Sequence, residues 1–330
     1  MKTFRLPCAA VLAALFATSA SAEIRCAMSP DDRQWVDGAL NASDHVMLQK
    51  LHLPADPRPT ILVFDRNCSF EAKSSNPDRW VGTPHQGKIK FPDGNEMDVG
   101  VTSFASRDDK TGNRFFVMAL PSIWYAANVM KPGDRGLTGV FLHEFSHTRQ
   151  MDVLKLRFDE ASAIRKLPDD FTDDSIQKKF RDDADYSASV AREIDLLFRA
   201  ADDPDVTQAR ALARRALELM DARQKKFFVG EDAWLRPYDD LFLTMEGFGQ
   251  WAAYSWLSDA KGAGMTADAA KKRMRGSGKW WSQDEGLALF LVIDRLVPDW
   301  APRAFGSPPA LGIELLREAV AENPRPASSQ

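Results

Sequence analysis

The sequence predicts an α+β fold, with a small mixed sheet in its N-terminal part and a mainly helical remainder. Three observations carry that expectation. Short apolar or alternating runs bounded by turn residues lie between residues 60 and 120. Helical periodicity dominates from Leu137 onward, and Lys131-Pro132-Gly133 punctuates the change.

Taken in order, Ser29 to Leu53 reads as one or two helices, closed by the proline-rich stretch Pro54 to Pro59. Thr60-Ile61-Leu62-Val63-Phe64 has the continuous apolar character of a buried strand. Gly87 to Phe91 is a second strand signal, and Pro92-Asp93-Gly94-Asn95 follows it as a turn. Met97 to Phe104 and Arg114 to Leu120 supply two more, separated by the polar loop Ser106 to Asn113. Pro121 ends the last of them or marks a sheet edge. Helices are expected near Leu137–Gln150, Asp183–Ala200, Val206–Phe228, Tyr238–Asp259, Ser282–Leu296 and Leu311–Ala321. The organisation that results is a signal peptide at 1–22, an N-terminal α/β subdomain at 23–135, a helical subdomain at 136–322 and a disordered tail at 323–330.

Lys2 and Arg5 precede the apolar run Leu6 to Ala17, and Ala20-Ser21-Ala22 then forms a signal-peptidase pattern with cleavage expected before Glu23. The expected compartment is therefore outside the cytoplasm, periplasmic or secreted. Loss of Lys2 and Arg5 would shift the formal charge from -4 to -6. That balance argues against a nucleic-acid partner, which calls for a basic face. No internal apolar run reaches the length of a membrane span, so no stable membrane insertion is expected after cleavage. Cys26 and Cys68 remain in the mature chain, and an even pair in an oxidising compartment reads as one disulfide. The sequence sets no oligomeric state.

The chemistry concentrates in His143-Glu144-Phe145-Ser146-His147. Histidines four apart on a helix project from one face, where one zinc ion can take both imidazoles. Glu144 is placed to accept a proton from a water that zinc polarises. Gly139-Val140-Phe141-Leu142 and Phe145 make the helix apolar, so its polar residues need partners, and a metal is one.

A third protein ligand is required. His45, His52 and His85 all precede the motif and no histidine follows it, which leaves a downstream carboxylate. Glu246 stands first, because Gly249 and Ala253 share its helix and would let that helix approach the histidine helix closely. Glu193 is the alternative ligand, or a carboxylate that supports one, on the buried stripe Tyr186, Val190, Glu193, Leu197. Glu285 is explained more simply as the end of a capping box that Ser282 opens.

Glu246-Gly247-Phe248-Gly249-Gln250-Trp251 resembles the E-G-x-A-x-Y helix found with HExxH in bacterial peptidase-MA-like, or gluzincin, metallopeptidases. Gly249 replaces the alanine of that pattern and Trp251 the tyrosine. The resemblance covers the helical half and is nearest to uncharacterised members of the type. It implies a zincin-like fold, one zinc per chain and Glu246 as the third ligand.

Zincins also need a group that stabilises the oxyanion. Tyr254 is the first candidate, with Tyr238, Tyr186 and Arg236 behind it. The acidic pairs Asp169-Asp170, Asp173-Asp174 and Asp182-Asp183 read as solvated loops and caps before they read as calcium ligands. The function expected is an exported zinc peptidase acting on a peptide or protein, with the strand Phe115 to Leu120 as an edge for an extended peptide. The alternative is a zincin-fold binding or structural protein without turnover. Zinc scavenging is a third reading, disfavoured because His-rich tracts are lacking.

Overall fold

The computed structural model describes residues 26–321 apart from 169 and 276–277. The expected signal peptide and C-terminal tail lie outside the described residues. Within them the chain is α+β, as its sequence predicts.

The N-terminal part opens with α1 (Pro30–Asp44), started by Pro30 in the first turn and by Ser29, whose hydroxyl accepts from the Asp32 amide. A π-helical segment, His45–Lys50, continues it. Seven strands follow: β1 (Thr60–Phe64), β2 (Cys68–Ala72), β3 (Trp80–Pro84), β4 (Lys88–Lys90), β5 (Glu96–Asp98), β6 (Ser103–Arg107) and β7 (Arg114–Ala119). Five form one sheet in the order β3-β2-β1-β7-β6, while β4 and β5 pair as a separate ribbon. Within the larger sheet β1 and β7 run parallel and the other neighbours antiparallel. Cys26 and Cys68 are disulfide-bonded, with Cα atoms 5.7 Å apart.

One expectation for this half is corrected, and a second is decided between its two alternatives. The strand proposed as a peptide-accepting edge, β7, lies between β1 and β6 with both sides hydrogen-bonded, and the edges are β3 and β6. Of the two alternatives for Pro121, it follows the end of β7 rather than marking a sheet edge. It opens the short helix α2 (Pro121–Ala126), where the missing N–H has no partner to lose.

The helical part comprises α3 (Gly136–Val153), α4 (Lys155–Ile164), α5 (Ser175–Phe180), α6 (Ala184–Asp202), α7 (Val206–Phe227), α8 (Leu235–Ser258), α9 (Ala267–Arg275), α10 (Trp281–Leu296), α11 (Trp300–Ala304) and α12 (Gly312–Ala321). The joint between the two parts is α3. Its residues Leu137 and Phe141 are buried in the core under the sheet, with Phe145 packed beside them. Phe116 of β7 meets both Phe141 and Phe145 edge to face, at 5.0 and 5.3 Å between ring centroids. The opposite face, carrying Gly139 and His143, lies on α8. A second and larger core fills the space between α6, α7, α8, α10 and α12. No described helix is long and apolar enough to cross a membrane.

Candidate metal centre

The site forms where α3 and α8 cross. The close approach depends on Gly249: a Cβ there would lie 2.8 Å from His143 Nδ1 and 3.0 Å from its Cε1. An alanine at 249 would therefore push the imidazole aside.

His143 and His147 face each other through Nε2 atoms 3.2 Å apart. Glu246 on α8 closes the triangle, with Oε2 3.2 Å from His143 Nε2 and Oε1 3.6 Å from His147 Nε2. Zinc bonds of about 2.0–2.1 Å in tetrahedral geometry need donor atoms roughly 3.3 Å apart, so the three side chains fit one such ion. Glu144 also belongs to the cluster: its carboxylate and the two imidazoles each bring an atom within 4.8 Å of the others. Of the two carboxylates, Glu246 is nearer and buried, whereas Glu144 keeps part of its surface open.

Neighbouring amides hold the donors. His147 Nδ1 is 2.8 Å from Gln150 Oε1, an arrangement in which Nδ1–H donates and Nε2 keeps its lone pair for a ligand. Gln150 Nε2 in turn donates to the Thr244 carbonyl of α8 at 3.4 Å. Gln283 of α10 donates to Glu246 Oε2 at 3.2 Å, and Gln250 donates to Gln283 Oε1 at 2.9 Å. His143 Nδ1 is buried without a partner.

The charges are strongly coupled. Burial disfavours a charged His143, but the hydrogen bond and charge of Glu246, with smaller contributions from Glu144 and Asp173, outweigh it and raise the pKa to about 9. Burial acts against ionised Glu246 as well, yet its hydrogen bond to His143 and the histidine charges bring it down to about 2. Without metal the site therefore holds an imidazolium–carboxylate pair. Burial raises the Glu144 carboxyl above its ordinary range, with His143 and His147 opposing and Glu246 adding to the rise. Asp173, in the loop before α5, is raised to about 6 by burial and by the charges of Glu246 and Asp174.

Glu193 lies elsewhere. It is wholly buried, accepting from Arg223 Nε at 2.8 Å and from the Ser189 hydroxyl at 2.7 Å. Arg223 also donates to Tyr186 Oη at 2.8 Å and Asp239 Oδ2 at 3.2 Å, and its Nη2 comes within 3.5 Å of Glu285 Oε1. Glu285 is thus no capping residue: α10 begins at Trp281 after Trp280, without a side-chain cap. Burial raises the Glu285 pKa well above the carboxylate range; Arg223 opposes the rise, and the charges of Glu193 and Asp239 reinforce it.

The tyrosines proposed for the oxyanion are also committed away from the histidines. Tyr254 is half-buried near Lys271, Asp202 and Asp294. Tyr238 Oη donates to the Arg165 carbonyl, and Tyr186 is bonded to Arg223. Arg236 pairs with Asp221 at 3.7 Å. Of the acidic pairs, Asp183 caps α6 and Asp174 pairs with Lys178; Asp169 lies outside the described residues.

Sequence reasoning passed over Gln150 and Gln283, and read Asp173 as part of a solvated loop, whereas it is partly buried and its charge couples to Glu246. Gln150 had a signal, since it stands three residues after His147 on the same helix. Gln283 had none, because its helix reaches the site only through tertiary packing. Its role is open to test. Gln283→Ala should weaken zinc binding about 10–100-fold while the fold persists, measured by chelator competition. An unchanged affinity would mean that Gln283 does not orient Glu246.

Comparison of the chain with protein-family models, with curated proteins and with solved structures gave no match. What supports a function is the arrangement of side chains just described.

Proposed function

We propose that the protein is an exported zinc-dependent hydrolase, most simply a peptidase, with His143, His147 and Glu246 as metal ligands and Glu144 as general base. The observation that carries this reading is the triangle of His143 Nε2, His147 Nε2 and the Glu246 carboxylate, with sides of 3.2, 3.2 and 3.6 Å. A zinc ion held there would supply Lewis acidity and a water acidic enough to be deprotonated near neutral pH. Glu144, partly open and with its pKa raised, is suited to take a proton from the attacking water and return it to the leaving amine. Export is supported by the N-terminal signal pattern and the disulfide.

The test is paired. Zinc-loaded wild type should cleave a broad peptide pool, and Glu144→Gln should keep its zinc while losing about 10²–10⁴-fold in turnover. Zinc retention with no turnover in either protein would replace the hydrolase by the binding or structural reading.

Metal uptake should also move protons. Zinc takes only the neutral imidazole, and His143 without metal stays protonated up to about pH 9. At neutral pH, binding should therefore release about one proton per chain, read by calorimetry in buffers of different ionisation enthalpy. The sign follows: apparent affinity should rise about tenfold per pH unit as the solution approaches pH 9, then level off. An affinity independent of pH across the neutral range would show that the His143–Glu246 ion pair does not exist in the metal-free protein.

A further inference from the structure

A cavity of about 700 Å³ opens beside the metal centre. Its floor includes Gln250 and Gln283, the latter bonded directly to Glu246. One wall is Val140, a helical turn before Glu144 on α3, so the cavity runs along the face that carries the proposed base. Met130, Met274 and Trp280 give it apolar surface, and Trp280 is an exposed large aromatic.

The rim is basic. Arg273, Arg275 and Lys279 line the cavity against one carboxylate, Asp284. Arg275 engages both oxygens of Asp284, at 2.8 and 3.1 Å, and Arg273 pairs with Asp134 at 2.7 Å. Lys279 meets no carboxylate among the described residues, and its ammonium stands 4.3 Å from the centre of the Trp280 ring. In a chain of formal charge -4 this positive rim is local, and it borders the cavity that Gln283 links to Glu246.

We propose that this cavity binds a peptide segment carrying an acidic side chain, with Lys279 facing the carboxylate and the paired Arg273 and Arg275 beside it. Met130, Met274 and Trp280 receive the apolar side chains beside it, the methionines adapting to their shape. A peptide suits the site better than an anionic lipid surface, because the cations rim a concave cavity whose lining includes Gln250 and Gln283, the latter bonded to Glu246. That the bound peptide is also cut rests on the hydrolase reading; its capture does not.

The experiment uses zinc-loaded Glu144→Gln protein and rhodamine-labelled decapeptide pools that differ only in Glu or Gln at alternate positions. At low salt the Glu pool should bind about tenfold tighter by anisotropy, and the difference should shrink as ionic strength rises. Adding Lys279→Glu, or the milder Lys279→Gln, should remove most of that preference with the circular dichroism spectrum unchanged. Equal binding of the two pools, or a preference indifferent to Lys279, would overturn the proposal. Displacement of the Glu pool by phosphatidylglycerol vesicles, but not by phosphatidylcholine vesicles, would overturn it in favour of a lipid surface. Incubating wild type with the same pools separates the two readings. Selective binding without cleavage removes the hydrolase and leaves this site; cleavage without selectivity does the reverse.

Discussion

Gly247→Ala and Gly286→Ala should each destabilise the fold by about 3 kcal/mol or more, the upper end of what overpacking costs. The two glycines mark the place where α8 and α10 touch backbone to backbone. A Cβ on Gly247 would lie 2.5 Å from the Gly286 carbonyl oxygen, and one on Gly286 would lie 2.5 Å from the Gly247 Cα. Neither contact can be relieved by rotating a side chain, so the helices must part. Parting them would also withdraw Gln283, on α10, from Glu246, the residue before Gly247 on α8. Zinc affinity should thus fall together with the midpoint of chemical denaturation. Gly38→Ala is the control: it lies inside α1 with open space where a Cβ would go, and alanine is the better helix former. If Gly247→Ala were as stable as Gly38→Ala, the helices would not cross this closely.

What the sequence makes legible follows from how local each signal is. The histidine helix and the Glu246 helix both announce themselves through residue spacing, and the small residue Gly249 correctly marks the face on which they meet. The strands Thr60–Phe64 and Arg114–Ala119 are apolar and buried at every residue after the first, so their boundaries read within a residue. The strands Cys68–Ala72 and Trp80–Pro84 escape notice for opposite reasons. Ser69 and Glu71 break the apolar run of the first, while the second contains Gly82 and Pro84 and is held by pairing with its neighbour. Position in the sheet is not local at all. Composition reads β7 as a strand but cannot say that β6 and β1 flank it. Glu285 shows the same limit, because Ser282-x-x-Glu285 has the spacing of a capping box. Its actual surroundings are Arg223 from α7 and Asp239 from α8, which only the packing of three helices brings together.

Removing Glu246 and removing Glu193 should have opposite signatures, and this comparison bears hardest on the proposed site. Glu246→Ala deletes the carboxylate nearest both Nε2 atoms and leaves two histidines with the partly open Glu144. Stoichiometric zinc should be lost, beyond the 10–100-fold typical of groups that only orient a ligand. The metal-free fold should survive: the contacts to His143 and Gln283 are lost, but His143, unlike an arginine, can shed its proton and leave no buried charge unpaired. Glu193→Ala leaves the triangle of donors untouched, so zinc should remain. Its cost falls on stability. Arg223 is buried and charged, and Glu193 is one of the carboxylates that balance it, at 2.8 Å. Breaking a buried ion pair from one side costs about 3–5 kcal/mol, a large share of the roughly 5–15 kcal/mol that holds a domain together. Zinc analysis and urea denaturation of both variants decide the matter. Glu193→Ala could shed zinc simply by unfolding, so its metal content is read below the onset of unfolding, with Glu193→Gln as the milder partner. Should Glu246→Ala keep one zinc per chain with unchanged affinity, Glu144 would become the metal's carboxylate and could no longer be the base. The hydrolase mechanism proposed for this site would then fail with it.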